Sequence, residues 1–98
     1  MYKNIFDTHA HYEDEQFDCD RDELLSSFPE NGISGVVTCG TDIITSEKSI
    51  ALAEKYPFIY AAVGFHALNL DSLTADWCGD IKRLAAQKKV VAIGEIGL

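Results

Sequence analysis

Four apolar stretches rich in β-branched residues, at 4–11, 34–41, 58–66 and 89–96, recur along the chain with helix-like segments between them. Strands separated by crossover-length helices pair in parallel through right-handed connections, which sets the fold class as α/β. The near-continuous apolar runs of the second and fourth stretches fit a sheet covered on at least one face. Their repeat of about 28 residues is close to the ~30-residue unit of a (β/α)8 barrel of ~250 residues. Composition leaves an open sheet and part of a closed barrel both open, while the spacing reads residues 1–98 as a single partial domain of about four parallel strands and three helices, four of the eight units of such a barrel. Its stop at Leu98, directly after the fourth strand, reads as a cut.

The intervening helices have recognisable ends. The first is expected to open near Asp20, where Asp20 and Glu23 stand at capping-box spacing, to bury Leu24, Leu25 and Phe28, and to be stopped by Pro29 before Gly32. The second is expected to start at Thr45 or Ser46, to turn Ile50, Leu52, Ala53 and Tyr56 inward, and to stop at Pro57. The third carries Trp77, Ile81, Leu84 and Ala85 on one face, with Lys88 and Lys89 near a C-terminus whose dipole favours cations. Phe6, Phe58, Tyr60 and Trp77 are assigned to packing, and Glu13, Asp14 and Glu15 to a solvated loop.

Composition narrows the partners. A formal charge of −8 and a pI near 4.6 leave no broad basic surface for holding nucleic acid by its phosphates, so a phosphate ligand would need a metal to supply positive charge. No apolar run approaches the ~20 residues of a membrane span, and the first residues are too polar for a signal peptide, which together suggest a cytoplasmic protein without a membrane partner. The cysteines, Cys19, Cys39 and Cys78, are odd in number and widely spaced; they read as buried thiols rather than a disulfide framework or a thiolate zinc site.

In open sheets and barrels alike, ligands meet the C-terminal ends of the strands. All three histidines fall there: His9 and His11 on the first strand and His66 on the third, while Glu95 ends the fourth. Alternation puts Asp7, His9 and His11 in one row, and Val91, Ile93 and Glu95 in another. A His-x-His pair on one face spans about 6–7 Å between Cα atoms, a distance that two nitrogens can close onto one ion at ~2.1 Å each. An exposed structural pair fits the same spacing. Asp7 suits a ligand, a group that orients an imidazole, or a solvated carboxylate. Glu95, flanked by Gly94 and Gly97 after an apolar run, is costly to bury unpaired and reads either as a cation ligand or as a side chain that has reached solvent.

Taken in order, Phe6-Asp7-Thr8-His9-Ala10-His11, Ala62-Val63-Gly64-Phe65-His66 and the segment from Val90 to Leu98 containing Gly94-Glu95-Ile96-Gly97 closely resemble the TatD family of metal-dependent hydrolases and deoxyribonucleases. The resemblance spans the chain but only the N-terminal half of a member, whose fold is an amidohydrolase-like (β/α)8 barrel. It implies that His9 and His11 are a metal-ligand pair, that Glu95 helps to hold two divalent ions (magnesium, manganese or zinc), that His66 lies at the substrate-facing rim, and that Asp7 supports the pair. Ala67 stands where the family has proline after that histidine. Further histidines and the general base, an aspartate, are expected from the half that this chain does not include. The implied chemistry is cleavage of a phosphodiester, in DNA or another substrate, by metal-activated water, with the 98-residue chain inactive on its own.

The runner-up is a non-enzymatic half-barrel that binds metal or self-associates through the open edges of its first and last strands. A flavodoxin-like nucleotide or phospho-signalling module is weaker, because histidines stand where a glycine-rich phosphate loop would follow the first strand.

Overall fold

The computed structural model describes residues 2–96; Gly97 and Leu98, which close the motif around Glu95, lie outside the described residues. Four strands, β1 (Ile5–Ala10), β2 (Ile33–Cys39), β3 (Ile59–Val63) and β4 (Val90–Ile93), form one sheet in the order β1-β2-β3-β4, every neighbouring pair parallel. The crossovers carry α1 (Arg21–Ser26), α2 (Ile43–Lys55) and α3 (Trp77–Ala85), with short 3-10 turns at Glu15–Phe17, Pro29–Asn31 and Ala67–Ser72. This is the expected half-barrel order, each strand lying beside its predecessor, and every strand falls within the stretch anticipated for it apart from the start of β2 at Ile33.

The helices cover one face of the sheet. On β3, Ile59, Ala61 and Val63 are fully buried, and they join Leu25, Phe28, Val36, Ile50, Ala53, Tyr56 and Leu84 in a single core. Burying a leucine or isoleucine side chain contributes about 1.5–3 kcal/mol, so this layer is what fixes the strand ends in space. On the opposite face the Phe6 and Tyr60 rings stack with centroids 6.3 Å apart, over Gly35, where a Cβ would collide with the Phe6 ring.

Local chemistry sets the helix ends differently from expectation. Asp20 precedes α1 without a side-chain bond to its N-terminus, so the Asp20–Glu23 capping box does not form. α2 begins earlier than Thr45, at Ile43, because Asp42 caps it: Oδ1 accepts from the Thr45 N–H at 2.8 Å while Thr45 Oγ1 accepts from the Asp42 N–H at 3.1 Å. α1 ends at Ser26, and Pro29 opens the next 3-10 turn, where its missing N–H costs no bond. Gly32 closes that turn at φ +86°, a conformation that disfavours other residues.

Several packing assignments are corrected. Phe6 and Trp77 are 50% and 48% exposed. Trp77 lines an open apolar groove of about 510 Å³ with Leu70, Ile81, Ile93 and Ile96. Cys19 and Cys78 are exposed, and only Cys39 is buried. No described helix is long and apolar enough to cross a membrane.

Candidate metal centre

The sheet brings the predicted site residues together at its C-terminal edge. β1 delivers His9 and, one residue past its end, His11; the segment after β4 delivers Glu95; and His66 follows β3. Glu95 is the hub. Its Oε2 lies 3.0 Å from His9 Nε2 and 3.2 Å from His11 Nε2, and its Oε1 lies 3.3 Å from His66 Nε2. The two Nε2 atoms of His9 and His11 are 3.3 Å apart.

Strict alternation does not account for this convergence. A register shift between Asp7 and Ala10 interrupts β1, and β4 ends at Ile93, so Glu95 is not bound to the face of the preceding residues. The expected row of Val91, Ile93 and Glu95 is therefore broken: Ile93 lines the groove beside Trp77 and Ile81, while Glu95 meets the histidines. The Asp7 carboxylate accepts from the backbone N–H of His9 at 3.1 Å, which fixes the chain at His9 rather than an imidazole ring.

Tautomers separate the roles of the histidines. His11 Nδ1 is 2.8 Å from the Cys39 carbonyl, an acceptor only, so Nδ1 carries the proton. A neutral His11 then presents a bare Nε2 to the Glu95 carboxylate. Two acceptors 3.2 Å apart need a cation between or beside them, either a proton or a metal ion. His66 has the opposite arrangement. Its Nδ1 accepts from the Leu68 N–H at 3.0 Å, which leaves the proton of the neutral ring on Nε2, facing Glu95 Oε1. His66 is thus a hydrogen-bond donor toward the cluster. The backbone N–H of His66 is tied to the Thr41 carbonyl at 2.9 Å, and Asn69 Nδ2 donates to the same oxygen at 3.3 Å, so the rim is anchored although Ala67 occupies the proline position.

The ligand atoms of His9, His11 and Glu95 all lie within 4.8 Å of one another. Two imidazole nitrogens and a carboxylate oxygen form a donor set that suits zinc, manganese or magnesium, and the unmatched acceptor pair makes the residues present a fit for such an ion.

Sequence reasoning missed Glu13, placed in a solvated loop. It is buried, accepting from Thr38 Oγ1 at 3.1 Å and lying 3.3 Å from His11 Nδ1. Burial pushes its carboxyl above the ordinary range, only partly countered by hydrogen bonds from its own backbone, Thr38 and His11. For His11, burial lowers the imidazole pKa, but the hydrogen bonds to Cys39 and Glu13 and the charges of Glu13 and Glu95 outweigh it, so the net shift is upward.

A sequence profile of the family described as TatD related DNase matches residues 6–98. The chain belongs to the TatD family. Among its relatives, an uncharacterized metal-dependent hydrolase, YabD, of Bacillus subtilis is 40% identical over 94 residues, covering 96% of this chain and 37% of its own length. A 3'-5' ssDNA/RNA exonuclease TatD of Pantoea ananatis is 34% identical over 95 residues, with 36% of its length covered. Among solved structures, the TatD homologue YJJV of Escherichia coli superposes with a TM-score of 0.83 at 30% identity, over 96% of this chain and 37% of that one. A TatD-family hydrolase of Entamoeba histolytica superposes at 0.85 and 24% identity, which shows the shared fold. The chain thus spans a little over a third of the length of the TatD proteins it matches.

Proposed function

We propose that this chain is the metal-holding first part of a TatD-type hydrolase, a single partial domain whose parent cleaves phosphodiester bonds in DNA or another nucleic acid. The observation that carries the reading is the meeting of His9 Nε2, His11 Nε2 and Glu95 Oε2 within 4.8 Å, from residues 86 apart in sequence. His9, His11 and Glu95 would hold the divalent ions of such a centre. When bound, such an ion polarises a phosphoryl oxygen and lowers the pKa of a water molecule. The chain's own residues do the rest. His66 turns its Nε2–H toward Glu95 Oε1 at the rim where substrate would enter, Asp7 holds the His9 backbone, and the Cys39 carbonyl keeps the His11 lone pair turned to the ligand side.

The names of relatives support a nucleic-acid substrate, and a cation offsets the −8 charge that would otherwise repel one. In this reading the general base lies outside these 98 residues, the isolated chain binds metal with little or no turnover, and the parent works in the cytoplasm. The parent provides the test. Cleavage of a single-stranded oligonucleotide that is lost with a chelator and with Glu95→Ala supports the proposal. A continuation lacking further histidines and an aspartate at later strand ends contradicts it.

A second reading has one observation in its favour. Val91, Ile93 and Ile96 at the β4 edge are 56%, 56% and 67% exposed, an apolar margin suited to self-association of a non-enzymatic half-barrel.

A further inference from the structure

Glu13 lies two residues beyond His11, in the loop leaving β1, and is only 5% exposed. A carboxylate at that depth is costly unless its oxygens are matched. One oxygen accepts the Thr38 hydroxyl proton at 3.1 Å, and the other lies 3.3 Å from His11 Nδ1. Thr38 is wholly buried and accepts the Tyr12 N–H at 3.2 Å, so its single proton is committed to Glu13. The loop is clamped from outside by Arg21, whose guanidinium donates to the carbonyls of Tyr12, Glu13 and Asp14 at 2.6, 3.4 and 2.8 Å. The carboxylate is held rigidly against the back of a ligand ring, where packing alone would be served better by an apolar side chain.

We propose that Glu13 is a positioning residue for His11. It shares the Nδ1 proton with the Cys39 carbonyl, holds the ring in the tautomer whose Nε2 lone pair meets His9 and Glu95, and places negative charge behind the imidazole, which strengthens it as a ligand. This role rests on the metal-centre reading, and it is separable from folding. Glu13→Gln keeps the shape of the side chain but sets an amide NH2 where an oxygen now faces the Thr38 hydroxyl or His11 Nδ1, so urea unfolding of the metal-free variant, measured beside its zinc affinity, separates loss of the centre from loss of the fold.

Two measurements on the 98-residue chain test this. In nitrogen-15 spectra of the metal-free chain, read at the alkaline plateau of a pH series, the His11 ring of the wild type shows the Nδ1–H tautomer, and Glu13→Ala and Glu13→Gln raise the Nε2–H fraction. In zinc competition against a chromophoric chelator, Glu13→Ala binds about 10–100-fold more weakly and Glu13→Gln falls between it and the wild type. A Gln variant that matches wild-type zinc affinity within about twofold, with the His11 tautomer unchanged, overturns the proposal. If the wild type itself takes up no zinc, the metal-centre reading fails, and the tautomer shift alone then decides whether Glu13 positions His11.

Discussion

His11 couples the centre to protons. Its pKa is raised, so below that pKa a proton sits on His11 in the space facing Glu95, and a metal ion entering the same space would displace it. Metal affinity is therefore expected to rise with pH through the elevated His11 pKa and to level off above it. Calorimetry in two buffers of different ionisation enthalpy checks this: proton release on binding is expected at pH 6.5 and less at pH 8.5, and equal heats in both buffers at pH 6.5 would contradict it. The meeting of His9, His11 and Glu95 was legible in the sequence because all three stand at the C-terminal ends of strands, where a parallel sheet gathers side chains. Glu13 was not. Its burial depends on Thr38, 25 residues later, and on an Arg21 clamp over the loop, contacts that no local pattern of three acidic residues reveals.

At the level of elements, the centre is only as firm as the helices behind the strands. Asp42 and Thr45 lock the start of α2 by a reciprocal pair of bonds, and Gly40 lets that helix approach β2 so closely that a Cβ there would collide with Ser46. Asp42→Ala is expected to cost about 1 kcal/mol in urea unfolding. Leu25, fully buried between α1 and the sheet, is expected to cost roughly 2–5 kcal/mol as Leu25→Ala. A loss under half a kilocalorie for Leu25→Ala would show that α1 does not contribute to the core. The strands were readable because apolar runs of this length leave few alternatives. The start of α2 was not, since Asp42, three residues before Thr45, competes as a cap with Thr45 and Ser46 themselves, and only the bonds actually formed decide among them.

For the whole molecule, β1 and β4 are the outer strands of the sheet, and both present apolar side chains: Ile5 and Phe6 on one, Val91 and Ile93 on the other. Sedimentation velocity on the chain is expected to show species heavier than the 10.8 kDa monomer, shifting toward monomer with Val91→Lys and Ile93→Lys. A monodisperse wild-type monomer would rule out the self-associating reading. Packing at these margins was misjudged from sequence for the same reason: Phe6 and Trp77 have aromatic character suited to a core, but their exposure depends on what lies beyond the sheet edge and the α3 groove, which hydrophobicity alone does not encode.

The central claim is that His9, His11 and Glu95 form one centre, and calorimetric titration of the 98-residue chain with zinc tests it most directly. The account predicts saturable binding that weakens by about tenfold or more in both His9→Ala and Glu95→Ala, since each removes a ligand of the same ion. Binding of undiminished strength in either variant, or no binding by a folded wild-type chain, would contradict it.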